Sequence, residues 1–205
     1  MTASINSVID SEHRVRLLQA MAALAGARGY AGITIADIVR EAGVSKRTFY
    51  EHFDGKEACF LALYRAASGA ALRVLREAVS ADKPWQLQVE SALSSYFAHM
   101  AADPQVLKML FVEIHQLGEP GALLRREVMQ QMVDFMLSTV QPGNGPVPGA
   151  APVVLTPTMA MAAVGGINEL ILQAIEQGMA GDLPRLTPTA SALIRALAQA
   201  EVPDL

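Results

Sequence analysis

T-I-A-D-I-V-R-E-A-G-V-S-K-R-T-F-Y-E-H-F-D, residues 34–54, is the stretch on which the reading of this chain turns. Ile35, Ile38, Val39 and Ala42 stand at i, i+3, i+4 and i+7, the spacing of one apolar helix face. Thr34 sits where an N-cap belongs. Gly43 sits where the chain must leave the helix, through a left-handed turn that glycine adopts without steric cost. Ser45 then caps a second short helix over 46–52, with Val44, Phe49 and Phe53 as its inner anchors. Two short helices around a tight turn make helix-turn-helix geometry over 33–53.

The charges add a functional reading. Lys46 and Arg47 fall in the first turn of the second helix, and Lys56 in the first turn of the next. A helix N-terminus already carries positive partial charge, so cations there do little for stability. They make sense if a phosphate approaches, because helix N-termini bind anions and Lys and Arg add charge-assisted hydrogen bonds. The first residues of a recognition helix are also those that reach base edges in the major groove. Glu51 is an acid among these residues; it either accepts from a cytosine amino group or lies at the edge of the interface.

Residues 11–57 resemble the DNA-binding domain of the tetracycline-repressor (TetR) family. The A-G-V-S turn, the Tyr50…Phe53 pair and Lys56 are the most specific parts of the match. The resemblance implies a homodimer, double-stranded operator DNA with two half-sites, and a small-molecule ligand in a larger second domain. Carried over by position, Lys46, Arg47 and Thr48 face bases, with Arg47 suited to a bidentate guanine contact. Thr34, Ser45, Tyr50, His52 and Lys56 contact phosphates.

Outward from this motif the pattern is helical. A first helix is expected over 11–28, with Val15, Leu18, Met21, Ala22 and Ala25 inward. Asp54 and Glu57 form a capping-box pattern opening a long helix to about residue 79. Further helices are expected over 84–102, 103–118, from Pro120 to about 140, 158–177 and 188–200. The Pro- and Gly-rich stretch 141–157 reads as a loop. The chain of 205 residues is 52% apolar with only 5% aromatics, which favours helix packed on helix over a β-rich fold.

Composition narrows the classes. The net charge is −4, yet residues 1–56 carry seven Lys/Arg against six acids, so any DNA surface is a local cluster. One cysteine, Cys59, excludes an intramolecular disulfide and suits a reducing cytoplasm; it reads as a buried structural thiol. No signal-peptide pattern opens the chain, and no run supplies the roughly 20 apolar residues of a membrane span, so no membrane partner is expected. His99, His115 and Glu113 fall short of a metal-ligand spacing, and neither metal nor cofactor is expected.

Eight of the ten methionines follow residue 99, and methionine suits an adaptable apolar pocket. Phe97, Met100, Phe111, His115, Met132 and Phe135 are the candidate lining. In 158–177 the small residues Ala162, Gly165 and Gly166, with Leu170, and on the last helix Leu193 and Leu197, are candidates for a seam between two subunits. The expected architecture is all-α: a three-helix helix-turn-helix domain, 1–54, joined by a long helix to a larger helical ligand-binding and dimerisation domain, 55–205. The expected function is a cytoplasmic repressor released from its operator by a small, mostly apolar ligand. The rivals are a regulator that needs no ligand and an all-helical enzyme; against the latter, the sequence has no glycine-rich phosphate loop and no nucleophile–base pair.

Overall fold

The computed structural model of the chain describes residues 2–140 and 154–199. Among these residues there are nine α-helices, two 3₁₀ segments and no strand, as the all-α reading requires. The helices are α1 (Thr2–Arg28), α2 (Ile35–Ala42), α3 (Lys46–His52), α4 (Lys56–Glu77), α5 (Trp85–Ala101), α6 (Pro104–Phe111), α7 (Gly118–Val140), α8 (Pro157–Glu176) and α9 (Thr187–Ala198). The 3₁₀ segments are Glu113–Leu117 and Ala180–Leu186. The chain forms two compact units, Met1–Ser68 with Gln105–Leu124, and Gly69–Pro104 with Arg125–Leu205. Helices α4 and α7 therefore each contribute to both.

In the first unit α1 packs on α2 and α3. Its inward residues are Leu17, Ala20, Met21, Leu24 and Ala25. The face differs from the expected one: Val15 is 49% exposed, and Leu18 and Ala22 are only partly covered. Residues 15–25 are apolar on nearly every side, so spacing alone admits more than one inward face, and packing selects among them. The helix also begins at Thr2, well before residue 11.

The ends of α2 and α3 are closed as the sequence suggests. Thr34 Oγ1 accepts the Asp37 N–H at 3.2 Å, and the Asp37 carboxylate accepts the Thr34 N–H at 3.1 Å, a capping box. These bonds, the Thr34 hydroxyl first, pull the Asp37 carboxyl down to about 2. Gly43 ends α2 at φ 61°, ψ 40°. The Arg16 guanidinium donates to the Ala42 carbonyl and, at 2.9 Å, to the Gly43 carbonyl, placing a cation at the negative end of α2. Ser45 Oγ accepts the Thr48 N–H at 3.0 Å. Phe49 and Phe53 are buried beneath α3.

Three boundaries depart from expectation. α4 starts at Lys56, after any Asp54 cap, and the Cys59 N–H closes its first turn onto the Gly55 carbonyl at 3.1 Å. The helix expected over 103–118 stops at Phe111, and Glu113–Leu117 tightens into 3₁₀ geometry. The cause is tertiary: the Glu113 side chain is buried and accepts the Tyr30 N–H. α7 begins at Gly118, so Pro120 lies inside its first turn, where a missing N–H has no intrahelical partner to lose. The stretch 141–153 and residue 200 lie outside the described residues.

In the second unit α5 packs on α9 and on the 3₁₀ segment Ala180–Leu186, and α8 packs on both of these. The core is built from Val89, Leu93, Phe97, Ile167, Ile171 and Ile194 among others. Two helices, Lys56–Glu77 and Pro157–Glu176, are long and apolar enough to cross a membrane by length and composition, which corrects the expectation that none would be. Interspersed alanines raise their average without forming a continuous run of large apolar residues. Their apolar content includes Phe60, Leu63 and Ile171, all buried in the core.

Gly43 gives a direct test of the turn. The left-handed conformation costs an L-residue roughly 1–2 kcal/mol, and a Cβ there would lie 2.6 Å from the flexible end of Arg16. Gly43→Ala is expected to lower unfolding stability by about that amount, read from urea midpoints; an unchanged midpoint would remove the turn from the account.

Candidate nucleic-acid interface

α3 is held from beneath by Phe49, which is fully buried, and this turns its other side outward. Lys46, Arg47 and Tyr50 are exposed, and the Tyr50 ring stands edge-on to Phe49 with centroids 5.5 Å apart. Thr48 is half-buried, its hydroxyl 3.0 Å from that of Ser45. Thr34 is exposed, but its hydroxyl donates to Asp37 at 2.6 Å. Glu51 receives Arg47 Nε at 3.1 Å, an i, i+4 ion pair on the open surface. Such pairs are weak, so Arg47 can exchange Glu51 for another anion at small cost.

Two assigned phosphate contacts are placed differently from the others. His52 is half-buried, and its Nε2 is shut off from solvent with no hydrogen-bond partner among the described residues. Lys56 Nζ donates to the carbonyls of Tyr30 and Ile33, both at 3.0 Å, and lies 4.1 Å from the centroid of the Tyr30 ring. An ammonium has three donors, so two are already engaged. From the helix start its ammonium braces the turn between α1 and α2, where the Tyr30 carbonyl also accepts the Ile33 N–H at 3.3 Å.

Sequence reasoning missed three charged residues that build this unit. Arg16 closes α2, and Arg14 lies over the Phe53 ring at 4.7 Å. Glu113, far along the chain, accepts the Tyr30 N–H. Periodicity could not reveal pairings of such long range. Cys59 is fully buried, and burial pushes its thiol up to about 12, so it stays protonated and unreactive.

The second unit contains a hollow of about 60 Å³ between α4, α5, α7, α8 and α9. Leu75, Leu93, Tyr96, Met132, Phe135 and Asn168 are among its walls, which include no charged side chain. Met132 and Phe135 of the six candidates are there. Phe97 and Met100 are buried in α5 but do not line it, while Phe111 and the exposed His115 belong to the first unit. Spacing placed residues on helices without fixing which helix ends the second unit contains. Among the described residues no group of three or more His, Cys, Asp or Glu is arranged to hold a metal. Of the seam candidates, Ala162 is exposed and a Cβ at Gly165 would meet open space. A Cβ at Gly166 would lie 3.5 Å from Leu193 of the same chain. Leu170, Leu193 and Leu197 are half-buried.

A capped helix-turn-helix with cations on the outer side of its second helix defines a DNA-binding regulator. Residues 17–63 match the family model of bacterial regulatory proteins of the tetR family, which makes this segment a tetR-type DNA-binding region, and the chain has the TetR fold. This is a family of transcription regulators, not of enzymes. The fatty acid degradation regulator FadR of Bacillus halodurans superposes with a TM-score of 0.75 at 17% identity, over 92% of this chain and 97% of that one. FadR of Bacillus subtilis, solved with stearoyl-CoA, gives 0.74 at 16%, over 91% and 99%. A tetR-family regulatory protein from Rhodococcus RHA1 gives 0.71 at 16%, over 92% and 98%. These structures show the shared fold. No curated protein sequence matches the chain.

The exposed cations of α3 give the second prediction. Arg47→Ala is expected to cost about 1–3 kcal/mol on a selected duplex and to relax preference at one position per half-site. Binding to randomised duplexes reads both effects. Unaltered preference, with the fold intact, would take Arg47 out of base recognition.

Proposed function

We propose that the protein is a cytoplasmic homodimeric repressor, released from a two-half-site operator by a small, mostly apolar, uncharged or cationic ligand. Residues 1–54 serve as its DNA-binding domain and 55–205 as its ligand-binding and dimerisation domain. The observation that carries the ligand half of this reading is the hollow in the second unit, apolar but for isolated groups such as Asn168 and Thr139. Walls of that kind suit an apolar molecule with one hydrogen-bonding group better than a polyanion. The Bacillus subtilis FadR structure contains stearoyl-CoA, whose acyl chain supports an apolar ligand portion for this fold, whereas its polyanionic CoA group runs against the uncharged or cationic part of this reading. At about 60 Å³ the hollow is well below the roughly 300–1,000 Å³ of drug-sized sites. Entry of a ligand therefore moves walls, and Met132 and Met136 are the adaptable ones.

The proposed route of release is α4. Lys56 stands in its first turn and Leu75, near its other end, lines the hollow. Its 22 residues make a rod of about 33 Å. A ligand that displaces Leu75 tilts this rod, alters the spacing of two recognition helices, and favours a dimer geometry that no longer fits adjacent grooves. The open surface at Ala162 and Gly165 supports a seam through α8, because mid-helix glycines cost about 1 kcal/mol each relative to alanine and permit close helix approach.

Two measurements test this. DNA retained by the purified protein is expected to show paired half-sites about 34–36 Å apart or somewhat more, bound by two protomers in sedimentation; one protomer held tightly on one half-site would contradict the dimer. Uncharged apolar compounds that bind are then titrated with and without that DNA. Operator is expected to weaken ligand by the factor by which ligand weakens operator. Equal ligand affinities in the two titrations would favour a regulator that works without a ligand.

A further inference from the structure

The turn between α1 and α2 is held at Tyr30 by one charge on each of the two peptide groups that flank its Cα. The Tyr30 N–H donates to Glu113 Oε2 at 2.7 Å, and the Tyr30 carbonyl accepts from Lys56 Nζ at 3.0 Å. Glu113 is only 3% exposed, and its Oε2 also accepts Gln116 Nε2 at 2.7 Å. Lys108 Nζ stands 3.9 Å from Oε1. Gly29, at φ 73°, is favoured by its left-handed backbone, and a Cβ there would lie a tight 3.3 Å from the carboxylate. The Tyr30 ring packs edge-on to Phe60, with centroids 5.0 Å apart, and carries Lys56 on its face.

This is a costly way to close a helix end. A carboxylate beside the C-terminus of α1 faces the negative pole of that helix, and a buried carboxylate must be compensated by strong bonds. A backbone carbonyl of α1 ordinarily accepts the N–H after a left-handed glycine. Glu113 takes that place, tying the 3₁₀ segment Glu113–Leu117 to the turn. Lys56 ties the next peptide, through the Tyr30 carbonyl, and the Ile33 carbonyl to the start of α4. α2 and α3 lie between Ile33 and Lys56 in sequence, so both ends of the recognition pair are anchored at this cluster.

We propose that Glu113 is a positioning residue for DNA recognition: through the backbone N–H of Tyr30, whose carbonyl Lys56 holds, it fixes the entry and exit of the helix-turn-helix. The segment that carries it continues through Pro104 and Arg125 into the second unit at both ends, so a shift of this segment loosens the recognition helices without any contact to DNA. The assignment does not depend on the identity or existence of a ligand.

The test uses the full chain with two duplexes, one selected by binding to the wild type and one of random sequence. Glu113→Leu removes the acceptor; Glu113→Gln keeps a neutral one. The Leu variant is expected to exchange its Tyr30 amide hydrogen at least about tenfold faster and to lose roughly tenfold affinity for the selected duplex, the scale of one charge-assisted hydrogen bond. Its affinity for the random duplex and its salt slope are expected to stay unchanged, and the Gln variant to recover most of the loss. A folded Leu variant with wild-type exchange and selectivity would overturn the assignment. Lys56→Met gives an independent arm should the Leu variant not fold. A selective loss at constant salt slope supports the clamp, and a slope reduced by about one identifies Lys56 as a phosphate contact and overturns it.

Discussion

Helices of eight and seven residues, the lengths of α2 and α3, do not persist in water unaided. Each must hand its open backbone groups to outside partners and bury one side. In this chain the ends go to Thr34, Asp37, Arg16 and Ser45, and the buried sides to Ile38, Val39, Ala42 and Phe49. Once these obligations are met, the outer side of α3 has no structural duty. Lys46, Arg47 and Tyr50 are free of the core because other residues already satisfy the helix that bears them.

The same obligation separates charges that build the scaffold from charges available to a partner. Arg16 closes the α2 terminus, and Lys56 closes carbonyls of the preceding turn. Arg14 covers Phe53. A net charge near zero over the first 56 residues thus understates how locally the usable positive charge is concentrated: it lies on the first turn of α3, where backbone N–H groups point the same way.

The helix-turn-helix was legible because its signals are local. Thr34, Gly43 and Ser45 act on backbone atoms a few residues away, and α3 occupies the bounds read from its caps. What was not legible is long-range. The inward face of α1 depended on the surfaces brought against it. The break after Phe111 depended on Glu113 reaching Tyr30, and the role of Lys56 on carbonyls more than twenty residues earlier. The hollow of the second unit was legible only in part: Met132 and Phe135 lie on the stretch of α7 that lines it. Phe111 and His115 belong to a segment that folds with the other unit.

On the proposed role of α3 in DNA binding, the ion pair between Arg47 and Glu51 has a kinetic consequence. A guanidinium that already holds a carboxylate gains less from an isolated phosphate than a bare one does, since one anion merely replaces another. Glu51 also repels the backbone that Arg47 attracts. Such a surface adheres slightly less to arbitrary DNA and lets go of it somewhat sooner than one without Glu51. Dwell times at wrong positions shorten, and the protein spends more of its search moving between sites than resting on them.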